Sequence, residues 1–228
     1  FNDISDEIAE NEQESWSKLI RVLTHEIMNT VTPIASLSET LSSYMVDKDA
    51  DSDVLAGLET ISQSSRGLIK FVESYRNLTR VAAPVKKAFY VREMIDRVIQ
   101  LTAQQTSEAG AVCTYLEKSD DILLYADESQ ISQILINLIR NACQAGANKV
   151  EITAELDRSD SVFIHVTNNG RPISKESREE IFVPFYTTKQ EGTGIGLSLS
   201  RQIMRLHNGT LTLTRSDESG TVFTLYFK

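Results

Sequence analysis

The hydrophobic period of this chain changes at Ala83-Pro84, and the change limits what each side can become. Before it, apolar residues recur at alternating steps of three and four: Trp16, Ile20, Leu23, Ile27, Ile34, Leu37 and Leu41, with Thr30 in the one polar slot. That is a heptad seam. The polar run from Asp47 to Asp53 reads as a turn, with Ser52 or Asp53 as the next helix N-cap. A second seam follows at Val54, Leu58, Ile61, Ser65, Leu68, Val72, Tyr75, Thr79 and Ala82. Two helices joined by a short loop make an antiparallel hairpin. A single hairpin has only two stripes to bury. Pairing with a second copy closes a four-helix bundle, so a homodimer is expected.

Beyond Pro84, which cannot continue the helix, the pattern becomes mixed. Helical stretches are expected over 91–102, 128–145 and 198–206, and His207-Asn208-Gly209 ends the last in the manner of a glycine cap. Strands are expected over 111–116, 122–125, 149–156, 161–167, 210–214 and 221–227. This predicts an α/β sandwich with one mixed sheet and helices on one face. The expected organisation is a hairpin over 1–83, a linker over 84–88 and an α/β domain over 89–228.

Composition narrows the class of function. The net charge of -9 argues against a nucleic-acid surface, so no nucleic-acid partner is expected. It leaves a nucleotide open, because a triphosphate needs only a nest of N–H groups, a lysine and a metal ion. Apolar runs fall short of the roughly 18 residues of a membrane span. The chain starts at Phe1 and reads as a cytoplasmic piece of something longer. Cys113 and Cys143 lack metal-ligand spacing and read as free, partly buried thiols.

Several strings carry chemistry. With Ile20, Leu23, Ile27 and Ile34 on the seam, His25 faces away from it, followed by Glu26 and, one turn on, Asn29. A solvated polar face is the plain reading. A neutral imidazole whose second nitrogen is held by a carboxylate is also a competent nucleophile toward phosphorus. Asn137 and Asn141, four apart, share one helix face, and an amide oxygen suits Mg²⁺. Two such residues are equally compatible with capping a neighbouring loop. Asn168-Asn169-Gly170 ends a strand. Phe182 and Phe185 flank a stretch that runs to Lys189, which could reach phosphates; plain core aromatics would look the same. Gly192, Gly194 and Gly196 run straight into a helix, so their N–H groups can approach an anion with no Cβ in the way.

In this order, these strings resemble the cytoplasmic core of sensor histidine kinases of two-component systems. The resemblance runs from about Glu14 to the C-terminus. Thr24 to Asn29 is similar to the H-box, which implies that His25 is the phosphoacceptor, Glu26 the general base and Asn29 the residue for dephosphorylating the partner regulator. The family's proline at the position of Thr30 comes later here, at Pro33, which moves the expected helix kink by a turn. Asn137 to Asn141 resembles the N-box, implying Asn141 as the Mg²⁺ ligand and Asn137 as a phosphate-side contact. ATP-hydrolysing relatives of the Bergerat fold carry glutamate at the position of Asn137. The family's frequent lysine three residues past Asn141 is Gln144 here.

Asn168 to Gly170 resembles the G1 box, where an aspartate normally accepts from the adenine amino group. Asn168 keeps the acceptor without the charge, and a charge-assisted bond is roughly twice as strong as a neutral one. Pro172 replaces the box's second glycine. Residues 181–189 resemble the F box, and 192–197, with Thr193 and Leu197, the G2 box. The resemblance implies a Bergerat ATP-binding domain with ATP and Mg²⁺ as cofactors and a lid over roughly 171–192. It implies swinging on an 83–88 hinge, autophosphorylation at His25 and transfer to a response-regulator receiver domain. It also implies a parent protein held at the inner membrane through an N-terminal sensor. The rival reading is a catalytically degenerate nucleotide-binding scaffold of the same fold, motivated by Asn168. A client-coupled ATPase is a third.

Overall fold

The computed structural model describes residues 27–45, 52–79, 81–189 and 194–228. The chain divides into two compact units, residues 1–80 and 81–228.

The first unit contributes helix α1 (27–45) and helix α2 (Ser52–Thr79). α1 is helical on both sides of Pro33. Ala35 and Ser38 of α1 and Ser62, Ser65 and Val72 of α2 are buried, mostly small residues. Glu39 ties the pair, accepting from Ser62 Oγ at 3.2 Å and from Arg66 Nε at 2.8 Å. Of the seam residues, Ser65 and Val72 share in this burial, while the larger apolar ones point elsewhere. Ile34, Leu37 and Leu41 of α1 and Val54, Ile61 and Leu68 of α2 are exposed, giving the hairpin an apolar stripe on its surface.

The second unit runs β1 (Lys87–Tyr90), α3 (Val91–Glu108), β2 (Val112–Glu117), β3 (Leu123–Ala126), α4 (Glu128–Gln144), β4 (Lys149–Leu156), β5 (Val162–Asn168), α5 (Ser177–Glu180), α6 (Gly196–Leu206), β6 (Thr210–Asp217) and β7 (Gly220–Phe227). Five strands form a mixed sheet in the order β2-β4-β5-β7-β6, with β2 parallel to β4 and the other pairs antiparallel. Alternation fixes its faces: Val150, Ile152 and Ala154 of β4 and Val162, Ile164 and Val166 of β5 are buried in the core shared with α3, α4 and α6. α4 supplies Ile131, Ile134, Leu135, Leu138, Ile139 and Ala142 to this core.

The expectation of one sheet needs correction. β1 and β3 form a separate antiparallel ribbon, Lys87 opposite Ala126 and Tyr90 opposite Leu123. β1 is short, and its partner lies far along the chain, so no local pattern announces the pairing. The segment read as linker is also held in this unit. Val85 N–H donates to Asp127 Oδ2 at 2.8 Å, and Gln130 Nε2 donates to the Ala82 carbonyl at 2.9 Å. β1 begins at Lys87, within the expected 84–88 linker. α3 continues past Thr102 to Glu108 and stops before Gly110, whose φ of +66° suits glycine.

Candidate functional site

The site is built along one stripe of α4. Apolar residues hold the helix on the sheet, and Asp127 fixes its start, accepting from Ser129 N–H at 3.1 Å and Gln130 N–H at 3.2 Å. Burial pushes the Asp127 carboxyl up. The Ser129 hydroxyl and the N–H groups of Val85, Gln130 and Ser129 outweigh it and hold the group below the usual aspartate value. Asn137, Asn141 and Ala145 then follow at successive intervals of four, so they stack on one face over two turns. Each meets a different glycine-bearing or loop segment.

At the first position, Asn137 is half-buried and its Nδ2 donates to Ser200 Oγ of α6 at 3.1 Å. Gly196 packs against this amide so tightly that a Cβ there would lie 2.2 Å from Asn137 Oδ1. Glycine at 196 is therefore what lets Asn137 keep this position. Leu197 is half-buried and packs against the core beside it. Two residues before Gly196, Gly194 has φ +67° and its carbonyl accepts from Phe185 N–H at 3.0 Å.

At the second position, Asn141 Oδ1 accepts from Lys189 Nζ at 3.2 Å, and Gln144 Oε1 accepts from the same ammonium at 2.6 Å. Burial lowers the Lys189 pKa from lysine's ordinary value. Among the described residues, no cluster of three or more His, Cys, Asp or Glu could hold a metal ion. A divalent cation here would rest on the Asn141 amide oxygen and on oxygens from outside the protein. The Lys189 ammonium occupies that oxygen here, so a metal ion would bind at Asn141 only once Lys189 swings aside toward a phosphate.

At the third position, the turn after β5 docks on the end of α4. Arg171 N–H donates to the Ala145 carbonyl at 2.9 Å. A Cβ on Gly170 would lie 2.9 Å from Ala145 Cβ. Asn168 is buried, and its Oδ1 accepts from Gly170 N–H at 3.1 Å, which shapes the turn. The expected residues Asn137, Asn141, Asn168, Gly170, Lys189, Gly194, Gly196 and Leu197 thus gather around one helix. Gly192 and Thr193 lie outside the described residues, as do His25 and Glu26; Asn29 is exposed on α1.

The aromatic pair has distinct parts. Phe182 meets Phe223 of β7 edge-on, with centroids 6.4 Å apart, and the Arg201 guanidinium lies 4.7 Å above its ring. Phe185 is half-buried with φ +70° and is tied to Gly194. Sequence reasoning missed Ser200, Arg201, Asp127 and His207. The α6 spacing (Gly196 to Ser200 is four residues) was the signal for Ser200. Nothing local marked His207, which is buried, accepts from Asp127 N–H at Nε2 (3.0 Å) and donates from Nδ1 to the Ile203 carbonyl at 2.8 Å. A cleft of about 540 Å³ beside Val85, Lys87, Asp127 and Ser132 holds none of the expected residues.

Residues 126–228 match the family described as histidine kinase-, DNA gyrase B- and HSP90-like ATPase. Sensor histidine kinase ZraS of Salmonella typhi is 27% identical over 209 residues, covering 90% of this chain and 44% of the relative. Sporulation kinase A of Bacillus subtilis is 27% identical over 208 residues, 90% of this chain and 33% of the relative. The chain spans under half the length of these curated relatives. Among solved structures, the catalytic domain of histidine kinase ThkA is 35% identical with a TM-score of 0.57, covering 62% of this chain and 94% of that one. ThkA in complex with the response regulator protein TrrA gives a TM-score of 0.66 at 25% identity, over 97% of this chain and 65% of that one.

Proposed function

Because the chain belongs to the sensor histidine kinase family, we propose that it moves the γ-phosphoryl group of ATP onto His25. The observation that carries this reading is the stacking of Asn137 and Asn141 on one stripe of α4, with the glycine-bearing Gly194–Gly196 turn and Lys189 against it. Asn168 and Gly170 form the adenine side of the pocket. Gly192, Thr193, Gly194, Gly196 and Leu197 bring backbone N–H groups to the phosphates, and Lys189 adds a charge. Mg²⁺, when bound at Asn141, would neutralise charge developing on the phosphate oxygens. Asn137 stands where a hydrolytic relative would carry a base, so the pocket has no carboxylate there to activate water against ATP. Glu26 orients the His25 ring and takes up its developing charge.

The remaining steps belong to the same reading. The phosphoryl group passes to a receiver-domain aspartate, and Asn29 positions water for the reverse loss of phosphate from the regulator. The structural relative ThkA forms a complex with a response regulator protein, TrrA, which supports a partner of that kind here. The exposed stripe of Ile34, Leu37, Leu41, Val54, Ile61 and Leu68 supports a homodimer in which two hairpins close a four-helix bundle. The domain reading becomes a hairpin followed by an ATP-binding domain whose joint lies before Ala82, since Ala82 and Val85 are bonded to α4 and its cap. The parent is held at the inner membrane by a sensor, with this part in the cytoplasm. Among the described residues, no helix is long and apolar enough to cross a membrane.

Incubation with γ-labelled ATP tests the proposal. Native protein should become labelled with acid-labile phosphate, and His25→Gln should not. Native protein that binds ATP and stays unlabelled would establish the scaffold reading, which the neutral Asn168 favours.

A further inference from the structure

Gln144 stands where the family pattern has a lysine, yet an ammonium is found beside it. Lys189, arriving from the segment after Phe185, puts its Nζ 2.6 Å from Gln144 Oε1 and 3.2 Å from Asn141 Oδ1. We propose that Lys189 and Gln144 are a transposed cation site: Lys189 supplies the phosphate-facing charge that α4 lacks, and Gln144 is the positioning residue that holds it over Asn141. This rests on the ATP-binding reading above and assigns Gln144 a part in it.

Three features of the geometry support the transposition. Both acceptors are neutral amides, so neither contact cancels the ammonium charge, which suits an anion. An ammonium has three donors, and these two oxygens use two of them. Glutamine at position 144 is also the residue the arrangement demands. A lysine there would set two ammonium groups against the single Asn141 oxygen, whereas glutamine offers an acceptor and orients the lysine that comes from elsewhere. The transposition has a mechanical result. Phe185 N–H is bonded to the Gly194 carbonyl, so the backbone four residues before Lys189 is fastened to the glycine turn entering α6. A lysine on α4 would be rigidly placed by the helix. Lys189 is placed by the turn, so charge at Asn141 and the seating of Gly194 change together.

The test is the affinity of a fluorescent ATP analogue, measured in EDTA and again with magnesium, on the full chain. The set is native protein, Lys189→Gln, Gln144→Lys and the double exchange. Thermal unfolding checks that each is folded. Losing a charge-assisted contact should weaken Lys189→Gln by about tenfold or more in EDTA, with a smaller loss in magnesium. Adenosine should bind native and Lys189→Gln alike, because it carries no phosphate. The double exchange, which returns the charge to α4, should recover affinity to within about threefold of native. Lys189→Gln binding the analogue as native does, or a folded double exchange no better than Lys189→Gln, overturns the proposal. Native protein that binds neither analogue nor adenosine overturns the ATP-site reading as well, which separates the two failures.

Discussion

Gly194→Ala and Gly196→Ala add the same methyl group two residues apart, but their surroundings predict opposite outcomes. At Gly194 the new Cβ would stand 2.4 Å from the Phe185 carbonyl carbon and 2.6 Å from its oxygen. Those atoms are backbone, and Phe185 N–H is already bonded to Gly194 O at 3.0 Å, so retreat breaks that bond. The left-handed φ of +67° adds its own cost for a residue with a Cβ. About 1–2 kcal/mol for the backbone and about 1–3 kcal/mol for displaced packing give a loss of about 2–5 kcal/mol. At Gly196 the new Cβ meets Asn137 Oδ1 at 2.2 Å, the end of a side chain that can rotate away. Rotation loses the bond to Ser200, about 0.5–1.5 kcal/mol, and alanine in place of helical glycine returns up to about 1 kcal/mol. The net effect on stability is small, while Asn137 leaves the position that the proposed ATP site requires of it. Urea unfolding followed by far-UV circular dichroism, beside binding of a fluorescent ATP analogue, separates the cases. Gly194→Ala should unfold at clearly lower urea. Gly196→Ala should unfold near native yet bind nucleotide poorly, and adding Asn137→Ala should leave it no less stable than Asn137→Ala alone. Equal destabilisation by the two alanines would refute this reasoning.

Asp127→Ala removes the α4 cap and the Val85 tether, with an expected loss of about 1 kcal/mol from the cap. Since the folded Asp127 pKa is depressed, its contribution is full above the ordinary aspartate value near 4 and is lost as pH falls through the lower folded value. Acid unfolding of native protein should therefore show a step that Asp127→Ala lacks. His207→Ala leaves the Asp127 N–H without its acceptor, about 1–3 kcal/mol, and His207→Gln should recover part of this in thermal unfolding because its amide oxygen can accept. Leu37→Glu places a charge on the exposed stripe and should convert a dimer to a monomer by analytical ultracentrifugation; an unchanged mass sinks the bundle. Cys113 is pushed up to about 11, by burial first and by neighbouring Cys143 second. Iodoacetamide at pH 8 should therefore label it slowly until urea is added.

The regular elements of the second unit were readable because each has a period of its own. α4 declared itself by a long apolar stripe, and β4 and β5 by alternation. β1 did not, since four residues following a proline-containing stretch carry no period, and the partner strand lies more than thirty residues on. Ser38, Ser62 and Ser65 were similarly opaque. A buried serine between two helices looks in sequence like surface, because its burial follows from how closely two backbones approach. Of the heptad residues, Ile34, Leu37, Leu41, Val54, Ile61 and Leu68 face outward within one chain, whereas Ser65 and Val72 are buried in it.

The sequence alone determined which helix would carry the amides and which turn would carry the glycines, because spacing along a helix and the absence of Cβ are local properties. It could not determine which glycine answers which amide. Gly196 against Asn137, Gly170 against Ala145 and Lys189 against Asn141 are pairings between segments far apart in the chain. Only the closing of β5, the α6 turn and α4 around one sheet brings those backbones within a methyl group of each other. The same closure put an ammonium beside Gln144, where the sequence left the lysine's contact either missing or supplied from elsewhere.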